Sequence, residues 1–275
     1  MSKLLFVSPH LDDIVFSLGD YISKLDQEII IVTVFTKKNN QKLKKFTDDY
    51  YAYANYDQRI KEDGLAMDIL KSKNSNISVK YLDLEDEIFR DNNDLIQEEI
   101  NQSFINLLED LEGEIDKVYL PLCVGHHLDH IITFNTYKIF LKNNIPVEYY
   151  LDYPYATMNF YTKVRLSDFG NFQERIQLID LYNYYINPIN RCNHPIIRII
   201  KMFIYLYTYI RNYLVVKDKY KIKYKIINTV NVTNKKNLVI QYESQIKPIF
   251  GTDQVLENIL INHPHEKIID ILDYK

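Results

Sequence analysis

Short runs of branched apolar residues alternate with longer segments of helical periodicity through the first half of the sequence. The apolar runs predict β-strands at 3–8, 28–36, 77–83, 117–121 and 147–152, and the segments between them predict helices at 15–25, 47–71, 94–111 and after His130. This order is typical of βαβ units, in which a helix joins consecutive parallel strands. We therefore expect an α/β fold built on a mostly parallel sheet.

The pattern loosens in the second half of the chain. Between residues 169 and 234, Tyr, Asn and Lys are frequent and clean alternation is rare. A chain of 275 residues, 47% of them hydrophobic, can bury one large core together with an appendage. We expect an α/β core over residues 1–168, a variable and mainly helical insertion over 169–234, and a C-terminal part, 235–275, that returns to the core.

Charge and cysteine content argue against some partners and compartments. The formal net charge of -4 gives no basic excess for binding nucleic acid phosphates, so nucleic acid is not an expected partner. Cys123 and Cys192 have the spacing of neither a disulfide framework nor a paired-thiolate zinc site, which indicates a reducing compartment. The apolar start runs directly into Pro9 and a polar segment, leaving no room for a secretory signal. We expect a cytoplasmic location.

No stretch reaches eighteen uncharged apolar residues, so no membrane-spanning helix is expected. The nearest candidate, residues 196–216, contains Arg198, Lys201 and Arg211. Its aromatic and branched residues suit contact with a membrane surface, but a helix packed on the core or on a second subunit explains them too. The sequence leaves peripheral membrane contact and the oligomeric state open.

Two polar clusters follow predicted strands. The first strand runs into His10, Asp12 and Asp13, and the strand at 117–121 runs into residues 126–130, which contain three histidines and an aspartate. Open parallel sheets place their ligand sites at the carboxyl ends of the strands. Both clusters should therefore lie at the same edge of the sheet and could form one site.

His10, Asp13 and His130 are a ligand set suited to a catalytic zinc ion, which usually has three protein ligands and one open position. Zinc lowers the pKa of its bound water from about 15.7 to roughly 7 and so provides a nucleophile at neutral pH. Asp12, next to the ligand Asp13, can act as the general base. Imidazole and carboxylate ligands also accept iron, cobalt and nickel, so the sequence leaves the metal open.

Amide hydrolysis also needs a proton donor for the leaving nitrogen and stabilisation of the oxyanion. His127 can supply both, and Asp129 could hydrogen-bond its ring and keep it protonated. Each cluster alone has a structural alternative, because an Asp-Asp pair often caps a helix and a histidine-rich segment can be a solvated loop. Two strand ends that supply complementary parts of one hydrolytic site favour function.

The same two clusters resemble the motifs of a known family. Pro9-His10-Leu11-Asp12-Asp13 and His127-Leu128-Asp129-His130 are similar to the (P/A)-H-x-D-D and H-x-D-H motifs of the N-acetylglucosaminyl-phosphatidylinositol de-N-acetylases, the PIG-L or LmbE-like family. The resemblance implies a Rossmann-like three-layer α/β/α fold and one zinc ion per chain, with the residue roles given above. It also implies hydrolysis of an N-acetyl group on an N-acetylglucosamine-type sugar.

Weaker similarities cover roughly residues 1–160 and 235–250. The stretch from Arg59 to Glu62 resembles the family's R-x-x-E helix beside the substrate, and residues 82–86 resemble its acidic strand end. Asp152 begins a further similar block. The resemblance thus makes Arg59, Asp86 and Asp152 candidate substrate-binding residues. Ile14 stands where many members have Glu, at a position to which no role above is assigned.

The sequence thus predicts a zinc-dependent N-deacetylase whose partner is a small-molecule amino-sugar conjugate. Hydrolysis of another small amide, or non-catalytic sugar binding on the same fold, are the alternatives. We expect the tyrosine-rich segment 182–224 to form a wall or lid over the pocket or an oligomer contact, because the core fold explains this segment least.

Overall fold

The computed structural model describes residues 3–111, 115–187, 189, 194–216 and 220–273. Its strands are β1 (Lys3–Ser8), β2 (Glu28–Phe35), β3 (Ile77–Leu84), β4 (Lys117–Pro121), β5 (Val147–Tyr150), β6 (Tyr220–Thr229) and β7 (His265–Asp273). They form one sheet in the order β3-β2-β1-β4-β5-β7-β6. The first five strands are parallel, and β7 is antiparallel to both β5 and β6. The expected mostly parallel sheet is confirmed.

Helices flank the sheet and complete the Rossmann-like α/β architecture. In the described residues they are α1 (Asp13–Ile22), α2 (Asn40–Leu43), α3 (Asp48–Ala54), α4 (Tyr56–Lys73), α5 (Ile96–Asp110), α6 (Leu128–Asn135), α7 (Tyr137–Lys142), α8 (Asn159–Ser167), α9 (Leu178–Ile186), α10 (Pro195–Val215), α11 (Val232–Val239), α12 (Glu243–Phe250) and α13 (Asp253–Asn262). Strands β1 and β2 are buried beyond their first residues, because helices cover both faces of the parallel sheet.

One predicted helix is divided in the structure. Residues 47–71 were expected to form a single helix, but α3 ends at Ala54 and α4 begins at Tyr56. The side chain of Asn55 accepts a hydrogen bond from the backbone N–H of Gln58, which caps a new helix. This break places Arg59 in the first turn of α4.

The segment 169–234 contains helices α9 and α10, as expected, but also strand β6, which the helical interpretation missed. Strand β6 pairs with β7 from Tyr220 opposite Asp273 to Thr229 opposite His265. The boundaries of the insertion stay predictions, and Cys192 lies outside the described residues. Among the helices that the structure describes, none is both long and apolar enough to cross a membrane.

The C-terminal part closes the core beside the N-terminal helix. Strand β7 contributes Ile268 and Ile269, both fully buried. Glu266 accepts hydrogen bonds from the backbone N–H groups of Asp20 and Tyr21 and forms a buried ion pair with Lys235, with Nζ and Oε1 2.8 Å apart. These contacts connect β7 directly to α1, whose first residue belongs to the first polar cluster.

Candidate metal centre and active site

The loop between β1 and α1 is shaped by Ser8. Its hydroxyl donates to the carbonyl oxygen of His10 at 2.5 Å and accepts from the backbone N–H of Ile14 at 3.0 Å. Asp12 occupies the N-cap position of α1, but its side chain forms no cap hydrogen bond. Helix capping therefore does not account for the Asp12 carboxylate, which lines a pocket together with Asp13.

The loop after β4 reaches the same edge of the sheet, because β1 and β4 are parallel neighbours. Cys123, Gly125 and His126 have positive φ angles, which turn the chain sharply before α6 begins at Leu128. Residues 129 and 130 are therefore in the first turn of α6, close to the end of β1. The two polar clusters meet, as their positions after parallel strands predicted.

The proposed ligands His10, Asp13 and His130 lie at distances that suit a small divalent ion. Asp13 Oδ2 is 3.1 Å from His10 Nδ1 and 3.2 Å from His130 Nε2. A tetrahedral zinc site with bonds of about 2.0 Å separates its ligand atoms by about 3.3 Å. Both histidines are buried. The donor set and its spacing thus fit a zinc-type site.

Each of these histidines uses its other ring nitrogen to contact a carboxylate. His10 Nε2 lies 3.1 Å from Asp129 Oδ2, and His130 Nδ1 lies 2.7 Å from Asp152 Oδ1. Metal-binding histidines commonly have such a partner, which fixes the tautomer and the orientation of the ring. The arrangement leaves His10 Nδ1 and His130 Nε2 directed at Asp13.

A second group of possible ligands consists of His10, His127 and Asp129. In the structure, however, Asp129 also accepts hydrogen bonds from the backbone N–H of Glu87 and from Arg90 Nη2. The side chain of His127 is 42% exposed, whereas the first set is almost fully enclosed. The set with Asp13 is therefore the better metal site.

Two roles expected from the sequence need correction. Asp129 was expected to hydrogen-bond His127, but its carboxylate contacts His10 instead. Asp152 was expected at the substrate, but it is 1% exposed, lies behind His130 and accepts a second hydrogen bond from the backbone N–H of Val124 at 2.8 Å. Both aspartates are placed to orient histidines.

Negative charge dominates this region. The proposed site contains more carboxylates (Asp12, Asp13, Asp86, Asp129 and Asp152) than guanidinium groups (Arg59 and Arg90). Burial alone would lower the pKa of His130, but Asp13 and Asp152 raise it to about 10. Burial would raise the pKa of Asp13, but His130 and His10 hold it well below its usual range. The surroundings therefore favour a positive charge between these ligands, as a divalent cation provides.

Arg59 lies against Asp12. Its Nη2 donates to Asp12 Oδ1 at 3.0 Å and its Nη1 donates to the carbonyl of Tyr53 at 2.9 Å, and the guanidinium stacks over Tyr56. Burial raises the pKa of the Asp12 carboxyl, and Arg59 opposes this shift. Arg59, expected to bind substrate, lines the pocket but is first of all the partner of Asp12.

Asp86 and His127 complete the polar wall of the pocket. Asp86 accepts a hydrogen bond from the Tyr56 hydroxyl, and its Oδ2 lies 3.5 Å from His10 Nε2. Burial and the neighbouring His10 and His130 lower the pKa of His127 to about 4. This shift of the pKa favours the neutral imidazole of His127 over the protonated ring that the sequence predicted.

The pocket has a volume of about 230 Å³ and includes residues that the sequence did not single out, namely Tyr53, Tyr155, Gln245 and Ile249. Gln245 and Ile249 belong to α12, which Glu62 connects to α4 by accepting hydrogen bonds from Ser244 Oγ at 2.6 Å and Ser244 N at 2.9 Å. The family-like stretch over residues 235–250 contains both Gln245 and Ile249, but neither residue was assigned a role from the sequence.

The tyrosine-rich segment touches the loop after β4. Tyr205 of α10 donates its hydroxyl to the carbonyl of Gly125 at 3.1 Å and, with His127, lines a cleft beside the pocket. His126 contacts Asp168 instead, with Nε2 and Oδ2 2.9 Å apart, and it belongs to neither group of possible ligands.

Residues 5–140, which contain both polar clusters, match the family described as PIG-L: GlcNAc-PI de-N-acetylase. The chain belongs to the PIG-L family. This membership supports a metal-dependent N-deacetylase, an enzyme that hydrolyses amide bonds. A comparison of the sequence with curated proteins finds no match.

Solved structures share the fold of this PIG-L protein over its full length. The A40926 pseudoaglycone deacetylase is 18% identical, with a TM-score of 0.66, and the alignment covers 100% of this chain and 98% of that one. A zinc-inhibited form of teicoplanin deacetylase is 16% identical, with a TM-score of 0.65 and coverage of 100% and 99%. A deacetylase–teicoplanin complex is 17% identical, with a TM-score of 0.62 and coverage of 100% of both chains. At these identities the likeness extends to the fold.

Proposed function

We propose that this PIG-L protein is a zinc-dependent hydrolase that removes the N-acetyl group from an N-acetylglucosamine-type sugar or its conjugate. The observation that supports it most is the pair of histidines, His10 and His130, each held by a carboxylate and each presenting its other nitrogen to Asp13. This arrangement is typical of a metal site built for hydrolysis.

In the proposal, His10, Asp13 and His130 hold the metal. A divalent ion bound there would act as a Lewis acid and would lower the pKa of its bound water towards roughly 7. Asp12 accepts the proton of the attacking water. Its burial raises the pKa of the carboxyl and so makes it a better proton acceptor, while the Arg59 hydrogen bond at 3.0 Å fixes its orientation.

His127 stabilises the oxygen of the scissile amide as negative charge develops there. A neutral imidazole still has one ring N–H, and a donor aimed at a developing oxyanion is among the strongest contributions to catalysis. The proton held by Asp12 is then available for the leaving nitrogen. His127 thus keeps the oxyanion role expected from the sequence, and Asp12 takes over the role of acid.

The substrate class is inferred from the family and from the pocket. The family description names a de-N-acetylase of an amino sugar, and the related structures are described as deacetylases of A40926 pseudoaglycone and of the teicoplanin pathway. Asp86 and Gln245 offer polar groups to sugar hydroxyls, and Tyr53 and Tyr155 offer aromatic rings. Acetamido sugars fit this combination of carboxylate, amide and aromatic side chains.

The test is release of acetate by purified zinc-loaded protein from N-acetylglucosamine conjugates, with acetylated amino acids and polyamines tested in parallel. We expect turnover of at least one sugar conjugate and none without metal. Turnover confined to the non-sugar amides would overturn the sugar assignment and leave the amidase chemistry. Tight metal binding without turnover of any of these amides would instead indicate a non-catalytic protein.

A further inference from the structure

Helix α10 presents an apolar stripe to solvent. Six large side chains at intervals of three and four residues form it, and each is between 52% and 77% exposed. They are Ile196, Ile200, Phe203, Tyr207, Ile210 and Leu214. Soluble proteins rarely leave so many neighbouring apolar side chains exposed, so a continuous stripe of this kind indicates a binding surface.

The opposite face of α10 packs against the protein, with Met202, Tyr205 and Tyr209 against the hydrophobic core. Asn212 Nδ2 donates to Asp168 Oδ1 at 2.7 Å and to Ser167 Oγ at 3.1 Å, and Tyr205 donates to Gly125. Helix α9 contacts α10, since Arg198 Nη1 donates to the carbonyl of Tyr185, and it exposes further apolar side chains. We call these exposed side chains together the α9–α10 surface, to which α9 contributes Leu178, Ile179, Tyr182 and Ile186.

Positive charge accompanies this apolar surface. Helix α10 contains Arg198, Lys201 and Arg211 and no acidic residue. In the sequence from 186 to 225, nine residues are Lys or Arg and a single one is acidic. Apolar and aromatic side chains beside cations are the combination that binds the headgroup region of anionic membranes.

The same charges disfavour a second copy of the chain as the occupant. A two-fold interface brings the same patch of both subunits together, so it would bring two copies of this basic segment close to each other. The positions flanking the stripe also lack the Glu and Lys pairs that select partners in coiled coils, because Ile197, Ile199 and Ile204 are exposed there. The apolar face is broad, as a lipid surface requires.

We propose that the α9–α10 surface docks on a lipid membrane containing anionic headgroups. Helix α10, with 21 residues and a length of about 31 Å, lies in the plane of the interface with its stripe in the lipid. Lys201 and Tyr205 of this helix line the cleft that also contains His127. Docking therefore holds the cleft beside the membrane. The docking proposal does not depend on the proposed catalysis.

Co-sedimentation of the full chain with vesicles tests this proposal. We expect binding to phosphatidylcholine vesicles that contain phosphatidylglycerol, weak binding to phosphatidylcholine alone, and weaker binding at high salt. The triple variant Ile200→Gln, Phe203→Gln, Leu214→Gln should lose roughly tenfold or more in partitioning. A matched triple variant on other helices, Leu65→Gln, Leu141→Gln, Ile261→Gln, changes side chains that are each more than half exposed and should bind as the wild type does.

Circular dichroism of both variants checks that they fold. Equal vesicle binding by the two triple variants would overturn the proposal, as would an absence of binding to anionic vesicles. If the wild type were a dimer that the α10 variant alone dissociates, and vesicle binding were absent, the surface would belong to a second copy. Acetate release from a water-soluble substrate, measured without vesicles, tests the proposed enzyme activity by itself. A failure of membrane docking can then be told apart from a failure of the proposed catalysis.

Discussion

Asp129 Oδ2 lies 3.1 Å from Nε2 of His10, on the side of the ring opposite the contact with Asp13. The first motif therefore receives its supporting carboxylate from the second motif, 119 positions later in the chain. Arg90 donates to the same carboxylate and keeps its negative charge compensated in a buried position. The two motifs form one unit, because neither His10 nor His130 is oriented by residues of its own strand end alone.

Replacing the supporting carboxylates should weaken metal binding without removing a ligand. Asp129→Asn and Asp152→Asn each remove the charge that orients a histidine, and such changes typically cost 10–100-fold in metal affinity. Competition with a chromogenic chelator measures the effect. Asp91→Asn, an exposed carboxylate paired with Lys42, is the control. Unchanged metal affinity in both supporting variants would contradict the assigned ligand set.

Asp12→Asn should separate metal binding from turnover. The variant keeps a similar shape beside Arg59 but cannot accept the proton of water, so kcat should fall by about 10²–10⁴. Metal content, measured by atomic emission, should stay at the wild-type level. A variant with nearly full activity would show that another group is the base.

Lys235→Met should strongly destabilise the fold. Lys235 and Glu266 are 1% and 0% exposed at their side chains, so removal of the cation leaves a buried carboxylate without its charge partner, at a cost of about 3–5 kcal/mol. The neighbouring Lys236→Met breaks a half-exposed pair with Glu257 and should cost about 0–1 kcal/mol. Urea unfolding compares the two. Similar losses of unfolding free energy in the two variants would contradict a larger contribution from the buried pair than from the exposed one.

Asp63 should make stability depend on pH. Burial raises the pKa of Asp63 to about 6, although Tyr81 and Tyr242 donate hydrogen bonds to it. An unfolded Asp titrates near about pH 4, so the folded chain binds more protons between these values. The stability that this group contributes is therefore present below about pH 4 and is lost as the pH rises through about 6.

The variant Asp63→Asn removes this titration. As the pH rises from about 4.5 to 7.5, the unfolding free energy of this variant should increase by roughly 1–3 kcal/mol relative to that of the wild type. Asp68→Asn, on the exposed side of the same helix, should show no such change. A difference from wild type that stays constant with pH would contradict the raised pKa.

The sequence predicted the first half of the fold well. Strands β1 and β4 have the predicted bounds, because their branched and apolar residues are buried on both faces of the sheet. Strand β6 was missed although Lys alternates with Tyr and Ile over residues 220–225. Its many lysines make the segment too polar to be recognised as a strand by its apolar residues. Pairing with β7 stabilises the strand although one side of it is exposed.

The sequence predicted which residues come together in the site, but not which carboxylate contacts which histidine. Position after a strand brought His10, Asp13 and His130 together correctly, since parallel strands end at one edge. Which carboxylate faces which histidine depends on side-chain directions between distant segments. Asp129 was therefore expected beside His127, two positions away in the sequence. Its contacts with His10 and Arg90 have no local sequence signal.

The hydrogen bonds between Glu62 and Ser244 join residues 182 positions apart. Contacts of such long range form slowly, since a large loop must be closed before the contact stabilises anything. The proposed ligands are complete at residue 130, yet the pocket wall needs Gln245 and Ile249. During synthesis, the ligands therefore leave the ribosome long before the wall exists. Recovery of activity on refolding should follow docking of the C-terminal helices, not assembly of the ligands.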